Sequence, residues 1–509
     1  MKIRPLRRRW PNGSGCLLRL PPKSMRLYIR VSCPRTPWNP FWGATRAQSA
    51  TNRVIRMIET LHSWIIAVNG VLWGPPMLIL LFGTHIFLTL RTGFMQRHLG
   101  RALKLSVTRE KGAKGDISPY AALTTALAAT IGTGNIVGVA TAVALGGPGA
   151  VLWMWLTGVL GMATKYSEAL LAVKYRVQTE DGTMLGGPMY ALEKGLGLKK
   201  VGIMFAFCTV VASFGIGNMV QANSIASLAK ETMNASPQWV GLILSGVTAL
   251  VILGGIRSIS RFCEVLVPFM ALFYVIGCSA ILYVNGVYIF PALKLIVESA
   301  FTASAAGGGF AGATVVMAAR FGIARGLFSN ESGMGSAPIA AAAAQSRNPV
   351  RQALVSSTGT FWDTVVICAI TGLVVVTSVM KAPVALAGLK GAALTKAAFD
   401  TLPGIGPIVL TVGLLTFVFS TILGWSYYGE RCAEYLWGKR AIRPYRIAWV
   451  FAVYAGSVLT LQFVWDFSDM ANAMMAIPNL LSLLLLSGVI ASETRKYLSE
   501  GHLDDLTSG

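Results

Sequence analysis

Apolar stretches of about 20 residues or more follow one another along most of the chain, separated by short polar segments. Stretches of this length cross a hydrocarbon layer of ~30 Å as α-helices. The pattern therefore predicts an all-α polytopic membrane protein with about 11 spans. These are expected near 71–91, 120–146, 150–173, 201–229, 238–256, 264–285, 309–343, 355–378, 404–436, 444–464 and 470–490. Two shorter stretches, 286–308 and 380–402, are expected to form re-entrant or surface helices.

Glycine-rich segments interrupt two of these apolar stretches. The first is Ile131-Gly132-Thr133-Gly134-Asn135, and the second runs from Gly326 to Gly333. A bilayer offers no hydrogen-bond partners to backbone N–H and C=O groups, so an unwound segment persists only when it is buried in protein or lines a cavity. Two such breaks in corresponding positions of two halves indicate the binding site of a secondary transporter. The sequence therefore predicts a carrier for a small solute.

The positions of the breaks divide the chain into two halves. When the first span is set aside, the breaks fall in the first and sixth of ten spans, which is a five-plus-five arrangement. If the halves are inverted repeats, the broken helices cross near the bilayer midplane. Their N–H groups are then available to an anionic group, and their carbonyls to a cation. The alternative is that each glycine segment only allows neighbouring helices to pack closely.

Composition and charge agree with a membrane protein and suggest its orientation. The chain is 54% hydrophobic and 13% charged, with a mean hydropathy of +0.59, which excludes a soluble globular protein. The loop from Arg91 to Asp116 is rich in Lys and Arg and is expected on the cytoplasmic side. Counting spans from this loop predicts a cytoplasmic C-terminus. The same count places the acidic turn from Trp465 to Asp469 outside.

The N-terminal segment departs from this charge pattern. Residues 1–56 contain 13 Lys and Arg but no Asp or Glu, and the span count would place them outside. We interpret residues 1–56 as a disordered basic extension, or as the result of a start codon assigned too far upstream, with Met57 as a plausible start. An organelle transit peptide is the alternative. Residues 57–498 are then the expected transporter domain, and 499–509 a short cytoplasmic tail.

The sequence gives little support to enzyme chemistry. The seven cysteines form no CxxC pair, the four histidines have no partner at metal-ligand spacing, and no GxxxxGK[ST] loop is present. His85 and Asp363 are the only hydrolase-type candidates inside apolar stretches, and neither has an obvious partner. The sequence therefore predicts no enzymatic function and no organic cofactor.

Several longer motifs resemble one transporter family. Gly146-Gly147-Pro148-Gly149 and the residues that follow it as far as Lys165-Tyr166-Ser167-Glu168 are similar to the signature of the sodium:alanine (alanine or glycine:cation) symporters. Further matches are Gly186–Tyr190, the second break and Phe419–Trp425, and the resemblance runs from about Met57 to Tyr497. It implies a leucine-transporter-type five-plus-five inverted repeat with one extra N-terminal helix. It also implies alternating access and sodium-driven uptake of alanine or glycine, with a bacterial inner membrane as the location.

The resemblance also implies roles for individual residues. The expected substrate-binding residues are Gly132, Thr133, Gly134, Gln221, Phe328, Ser329 and Trp425. Sodium is expected at the oxygens of Ala128, Thr130, Ile131, Asn135, Ser420 and Thr421. Each group has a structural alternative: hydroxyls often bond back to the i−4 carbonyl, Gln221 can form an interhelical hydrogen bond, and Trp425 can belong to an interfacial aromatic belt.

Charged residues inside the apolar stretches complete the candidate set. Arg325 and Glu331 flank the second break and are expected to act in gating, and Asp363 could respond to a cation or a proton. Lys165 and Glu168 are three residues apart on one helix and are expected to pair. Two functions remain as alternatives to sodium symport. One is proton-coupled transport of a small neutral amino acid, and the other is a membrane sensor that binds an amino acid without accumulating it. A monomer is the expected functional unit.

Overall fold

The computed structural model describes Met57 and residues 60–108, 113–302, 314–459 and 461–500. The predicted extension, residues 1–56, and the end of the predicted tail lie outside the described residues. Contacts divide the chain into two units, Met1–Ser63 and Trp64–Gly509. In the first unit, the Ser63 hydroxyl donates to the Thr60 carbonyl at 2.8 Å. The second unit contains the candidate site.

Helices dominate the described residues, as the apolar pattern predicts. In chain order they are α1 Thr60–Leu72, α2 Pro75–Arg91, α3 Leu99–Ser106, α4 Pro119–Thr130, α5 Val139–Gly146, α6 Gly149–Lys174, α7 Pro188–Tyr190, α8 Lys199–Ala212, α9 Val220–Met233, α10 Pro237–Ile252, α11 Gly255–Val284, α12 Ile289–Phe301, α13 Val315–Asn330, α14 Pro338–Ala342, α15 Pro349–Thr360, α16 Ala369–Lys381, α17 Pro383–Leu386, α18 Gly391–Phe399, α19 Ile405–Trp437, α20 Ile442–Val458, α21 Leu461–Leu485 and α22 Ser487–Ser499. Helices α12, α17 and α18 occupy the two shorter stretches.

Shorter elements connect these helices. Wider π-helical turns cover Gly134–Gly138, Ala191–Gly195, Ser213–Met219 and Phe361–Cys368, and 3₁₀ turns cover Met95–His98, Gly286–Tyr288 and Lys439–Ala441. Strands β1 Val177–Gln178 and β2 Met184–Leu185 form an antiparallel pair in which Val177 faces Leu185. Turns of the π type often mark functional sites, and three of the four lie beside the candidate site.

By length and apolar composition, four continuous helical stretches can cross a membrane. They are Lys199–Lys230, Gly255–Val284, Pro349–Lys381 and Ile405–Trp437. Three bent helix pairs also pass this test, which raises the number over the described residues to as many as seven. Shorter apolar helices such as α10 come in addition to this number. The count of eleven spans and the inverted-repeat relation therefore stay predictions.

The first break lies where the sequence predicts it. Ser118 caps α4 by accepting a hydrogen bond from the Ala121 N–H, and α4 ends at Thr130. Ile131 then takes an extended conformation, and the chain becomes helical again after Gly132. The two halves of this broken helix meet at a bend of 55°. The prediction of a break at this position is confirmed.

The second break begins later than predicted. Helix α13 continues to Asn330, so Gly326 is helical, and the unwound segment covers residues 331–337. A Cβ on Gly326 would lie 3.2 Å from Thr157 Cβ, so this glycine serves close packing against α6. Glu331, Gly333 and Gly335 have φ angles of 56°, 93° and 81°. These left-handed conformations end α13. The predicted bounds, Gly326–Gly333, are therefore wrong.

Helix α6 positions the second break. It packs along α13, α15 and α2, and two of its glycines allow close approach. A Cβ on Gly158 would lie 2.7 Å from Thr364 Cγ2, and one on Gly161 would lie 3.1 Å from Ser332 Oγ. Small residues let helix backbones approach closely inside a bilayer. As a result, side chains of α6 can reach the unwound backbone directly.

One arginine connects two internal segments on the predicted cytoplasmic side, namely the segment before α4 and the segment after the second break. The Arg176 guanidinium donates to the carbonyls of Ala342, Ala344, Lys114 and Ser346 at 3.1, 2.8, 3.2 and 2.8 Å. Ala344 also forms an isolated parallel bridge with Ile117, just before α4. The segments that enter the first broken helix and leave the second are therefore fastened together.

A carboxyl group lies beside this junction. Asp116 Oδ2 accepts from the Met184 N–H at 3.0 Å. Partial burial raises the pKa of Asp116, and the hydrogen bond from Met184 opposes this effect. Asp116 thereby connects the start of α4 to the β1–β2 hairpin.

Replacing Arg176 with Ala should destabilise the fold. The change removes a charged donor from four backbone carbonyls, and each such bond contributes about 1.5–3 kcal/mol when its partner is left unpaired. We expect a clear fall in the apparent melting temperature of the purified protein, measured by tryptophan fluorescence during heating.

Lys199→Ala provides the control, because the Lys199 side chain is 68% exposed and its ion pair with Glu193 is 3.8 Å long. Exposed pairs of this kind contribute about 0–1 kcal/mol. Equal melting temperatures for the two variants would contradict a structural role for the Arg176 junction.

Candidate functional site

Asn135 links the first break to a distant part of the chain. It is fully buried. Its Oδ1 accepts from the Gly132 N–H at 2.9 Å, and its Nδ2 donates to Asp363 Oδ1 at 2.7 Å. One amide therefore satisfies a backbone donor that the break releases and also binds a carboxylate from the π-helical turn Phe361–Cys368. A buried amide with partners on both sides fixes the local geometry.

Asp363 accepts hydrogen bonds from three elements. Besides Asn135, its donors are Ser329 Oγ at 2.9 Å and Thr364 Oγ1 at 2.6 Å. Asp363 is completely buried, and such a carboxylate requires hydrogen bonds or a cation to compensate its lost hydration. The sequence showed no partner for Asp363. The structure supplies three, and two of them, Asn135 and Ser329, are themselves predicted site residues.

Two hydroxyls of α19 lie on the carbonyls of the first broken helix. Ser420 Oγ donates to the Ala128 carbonyl at 3.1 Å, and Thr421 Oγ1 donates to the Ile131 carbonyl at 3.2 Å. Both hydroxyls are also close to the Phe417 carbonyl, at 2.8 and 2.9 Å. Each hydroxyl therefore lies within hydrogen-bond distance of a carbonyl on its own helix and of a carbonyl on the first broken helix. Thr130, the last residue of α4, bonds back to the Ala126 carbonyl at 3.2 Å.

The backbone of the first break approaches its neighbours too closely for side chains. A Cβ on Gly132 would lie 2.7 Å from Thr421 Oγ1 and 3.5 Å from Gln221 Oε1, and one on Gly134 would lie 3.1 Å from the ring of Phe328. Cβ atoms essentially never lie closer than 3.0 Å to such atoms, and at 3.1 Å the neighbouring ring would have to shift by a few tenths of an ångström. Glycine at 132 is thus required by the approach of α19 and α9.

Two buried polar atoms at this break lack partners within the described part of the chain. Gln221 donates through Nε2 to the Ile216 carbonyl at 2.9 Å, but its Oε1 accepts nothing. Thr133 Oγ1 is also without a partner. An unsatisfied buried polar group is costly unless a ligand or water satisfies it. Both atoms are therefore candidate ligand-binding groups.

Trp425 is fully buried against the second break. Its Nε1 donates to Glu331 Oε1 at 2.9 Å, so the alternative of an interfacial belt residue is wrong. Its ring packs on Gly217, where any Cβ would overlap the indole. Glu331 also accepts from Ser336 Oγ at 2.5 Å. Glu331 thereby connects the end of α13 to the position of Trp425.

Phe328 and Ser329 lie in the last turn of α13 instead of in the unwound segment. The Phe328 ring stacks on Trp465 with centroids 5.8 Å apart. The Arg325 guanidinium lies 5.6 Å from the centre of the same ring. These contacts stack aromatic and cationic groups beside Gly134, where a Cβ would lie 3.1 Å from the Phe328 ring, in keeping with the stacking and cation–π attractions of such groups.

Glu168 holds the second break, a role that the sequence did not suggest. Its Oε1 accepts from the N–H groups of Gly333 and Gly335, both at 3.0 Å, and from Asn479 Nδ2 at 2.7 Å. The predicted pairing with Lys165 is not a direct contact, because Lys165 Nζ makes no hydrogen bond with any described residue; the two residues interact only electrostatically. The released glycine N–H groups compete for the carboxylate. The sequence did contain one signal for this role, because the backbone N–H groups of a glycine-rich break need a hydrogen-bond acceptor.

The arrangement has a clear chemical capacity. Carbonyl, hydroxyl and amide oxygens at the first break are the neutral ligands that suit a hard cation. Backbone N–H groups at the start of a half-helix favour an anionic group. Within the described residues there is no cluster of three or more His, Cys, Asp or Glu that would hold a metal ion. Fold and site together define a membrane carrier built on two broken helices.

Comparisons with known proteins agree with this class. The sodium:alanine symporter family matches residues 58–506, so the chain belongs to that family. The chain is 55% identical over 442 residues to the sodium/alanine symporter AgcS of Methanococcus maripaludis, covering 86% of this chain and 97% of AgcS. It is 35% identical over 448 residues to the amino-acid carrier protein AlsT of Bacillus subtilis, covering 87% and 94% of the two chains.

A solved structure shows the fold. The chain matches a crystal structure of MhsT in complex with L-phenylalanine with a TM-score of 0.52 and 14% identity, covering 74% of this chain and 90% of MhsT. The match over residues 58–506 and the 55% identity to AgcS confirm the family that the motifs predict. The chain is an amino-acid:cation symporter of the membrane and not an enzyme.

Gly217→Ala should weaken amino-acid binding. The added methyl group overlaps the Trp425 indole and displaces it from Glu331, at a cost of about 1–3 kcal/mol. We expect the affinity for the amino-acid substrate to fall about tenfold or more, as measured by equilibrium binding of a radiolabelled amino acid to purified protein.

Gly246→Ala, on α10, is the matched control, because a Cβ there meets nothing within 4 Å. Its binding should equal that of the wild type. Wild-type affinity in Gly217→Ala would show that the position of Trp425 is unimportant for binding.

Proposed function

We propose that this protein couples the entry of sodium to the uptake of alanine, glycine or both by alternating access. The observation that carries the proposal is the contact between the hydroxyls of Ser420 and Thr421 and the carbonyls of Ala128 and Ile131. It brings four neutral oxygens from two helices together at the first break. The 55% identity to a sodium/alanine symporter supports the same function.

We assign sodium to these oxygens, with Thr130 and Asn135 as further ligands. Oxygens that are 3.1–3.2 Å apart suit a common hard cation at about 2.4 Å from each. Bound sodium would replace the two interhelical hydrogen bonds and hold α19 against α4. Asn135 donates to Asp363 at 2.7 Å, so a change of conformation at the first break would also move this hydrogen bond to Asp363.

The substrate is assigned to the adjoining space. The N–H groups of Thr133 and Gly134 would bind its carboxylate, because the Gly132 N–H already donates to Asn135 at 2.9 Å. The free Oε1 of Gln221 is suited to the substrate ammonium group. Phe328, Ser329 and Trp425 would surround the side chain. Rigid walls of this kind leave room for a hydrogen atom or a methyl group and reject longer side chains.

Gating is assigned to the two ends of the site. Arg325 and Glu331 flank the helix end that carries Phe328, and the stacked Phe328 and Trp465 rings would close the outer path. Beyond Trp465 lies a cavity of about 120 Å³, lined by Trp465, Val137, Ser224, Ser227, Leu228 and Leu414 among others. The inner end is fastened by Arg176. We propose a plasma-membrane location, a cytoplasmic C-terminus and a monomeric functional unit.

Sodium coupling would make accumulation possible. One sodium ion moving inward across ~100 mV contributes about 2.3 kcal/mol. This corresponds to roughly fifty-fold accumulation of the amino acid before the sodium gradient is included.

Proteoliposomes that contain the full chain test the function directly. We expect labelled alanine to accumulate above its external concentration when sodium is directed inward at constant pH, and not without sodium. Gln221→Ala and Thr421→Ala should strongly reduce accumulation at limiting sodium concentration, since each removes an assigned ligand. Uptake that equilibrates without accumulating, or binding without uptake, would contradict symport and support a sensor.

Proton coupling is the second candidate, and the burial of Asp363 favours it. A buried carboxylate can exchange a proton instead of accompanying a cation. Accumulation that ignores sodium but follows an inward proton gradient, and that disappears in Asp363→Asn, would replace the sodium assignment.

Thr421→Ala should also weaken sodium binding specifically. Loss of one of the few oxygen ligands should raise the sodium concentration for half-maximal alanine binding about tenfold or more. Thr421→Ser keeps the hydroxyl and should retain the wild-type value.

Thr416→Ala is the control on the same helix. Among the residues that the structure describes, the Thr416 hydroxyl bonds only to the carbonyls of Val412 and Gly413 on its own helix, at 2.7 and 3.1 Å. Equal sodium dependence in Thr416→Ala and Thr421→Ala would refute the assigned ligand role.

A further inference from the structure

Lys165 is a buried cation that the proposed mechanism does not use. It lies in the middle of α6 and is 4% exposed. Its Nζ has no hydrogen-bond partner among the described residues. It lines a small cavity of about 10 Å³ together with Thr130, Asn330, Ala337 and Ser356, a space that suits a single water molecule. The cavity separates the first broken helix from the second.

Burying an ammonium group without a direct partner is expensive, so its surroundings must compensate the charge. Three buried carboxylates lie within electrostatic reach of Lys165. Lys165 acts electrostatically on Glu168, Glu331 and Asp363, each of which is at most 3% exposed. Electrostatic interactions of this kind extend over several ångströms inside a protein, where water does not screen them.

Each carboxylate of this cluster is bonded to a part of the candidate site. Asp363 binds Asn135 and Ser329, Glu331 binds Trp425, and Glu168 binds the backbone of the second break. When the carboxylates are ionised, the cluster has three negative charges and one positive charge. The net negative charge of the cluster favours the binding of a cation, and the positive charge of Lys165 reduces this effect.

We infer that Lys165 is a fixed counter-charge that sets the sodium affinity of the transporter. It is a positioning charge and not a ligand of sodium or substrate. The inference rests on the proposed sodium coupling and adds a residue that controls it. A tighter sodium site would release the ion slowly to the cytoplasm, so the positive charge keeps binding reversible.

Sodium titration of alanine binding tests this role. Binding of labelled alanine to the purified full chain is measured as sodium replaces choline at constant ionic strength. Lys165→Met removes the charge and keeps the bulk. We expect the sodium concentration for half-maximal binding to fall about tenfold, the size of effect that one unit charge exerts over several ångströms at an effective dielectric constant of about 20. Lys165→Arg retains the charge and should behave as the wild type.

The inference would be overturned if Lys165→Met still binds alanine but its sodium concentration for half-maximal binding is unchanged or higher. If Lys165→Met does not fold, Lys165→Gln decides, because Gln removes the charge and keeps polar atoms beside the small cavity. We expect the same tenfold fall in the sodium concentration for half-maximal binding. An unchanged or higher concentration would contradict the counter-charge.

The wild-type titration separates this inference from the proposed function. Alanine binding that is independent of sodium in the wild type refutes sodium coupling itself, whatever the variants do. Sodium-dependent binding in the wild type with no shift in Lys165→Met refutes only the counter-charge.

Discussion

Unwound backbone at membrane depth must find hydrogen-bond partners within the protein, and this constraint organises the site. At the first break Asn135 accepts from the Gly132 N–H at 2.9 Å. At the second, Glu168 accepts from Gly333 and Gly335 at 3.0 Å each. Lipid offers no such acceptors at membrane depth. Each break therefore exists because a side chain from the same or a neighbouring helix holds it open.

The acceptors also join the breaks to the rest of the bundle. Asn135 continues to Asp363 and so to Ser329, which carries the contact from the first break to α13. Because each member of such a network is bonded to the next, a ligand that moves one member changes the hydrogen bonds of the others. Coupling between two ligands requires a shared element whose state both affect. The Asn135–Asp363–Ser329 chain provides one between the assigned cation and substrate positions.

The sequence predicted the apolar helices, the first break and the family, because each depends on local pattern or on contiguous motifs. It misplaced the second break. The sequence does not distinguish the roles of Gly326 and Gly333. In the structure, Gly326 is helical and packs against Thr157, whereas Gly333 has a φ of 93° and lies in the unwound segment. It also missed the partners of Asp363, since Asn135 lies 228 residues away in the chain. Contacts of that separation depend on tertiary packing, which one sequence does not reveal.

In the proposed cycle, different kinds of interaction would close the two ends of the site. On the predicted inner side, Arg176 makes four charge-assisted hydrogen bonds to backbone carbonyls, three of them on the segment after the second break. On the predicted outer side, the stacked rings of Phe328 and Trp465 lie between Gly134 and a cavity. In that cycle, opening the outer end would require two rings to separate, whereas opening the inner end would break several hydrogen bonds at once. In the proposed cycle the inner opening is therefore the step that needs the binding energy of both ligands.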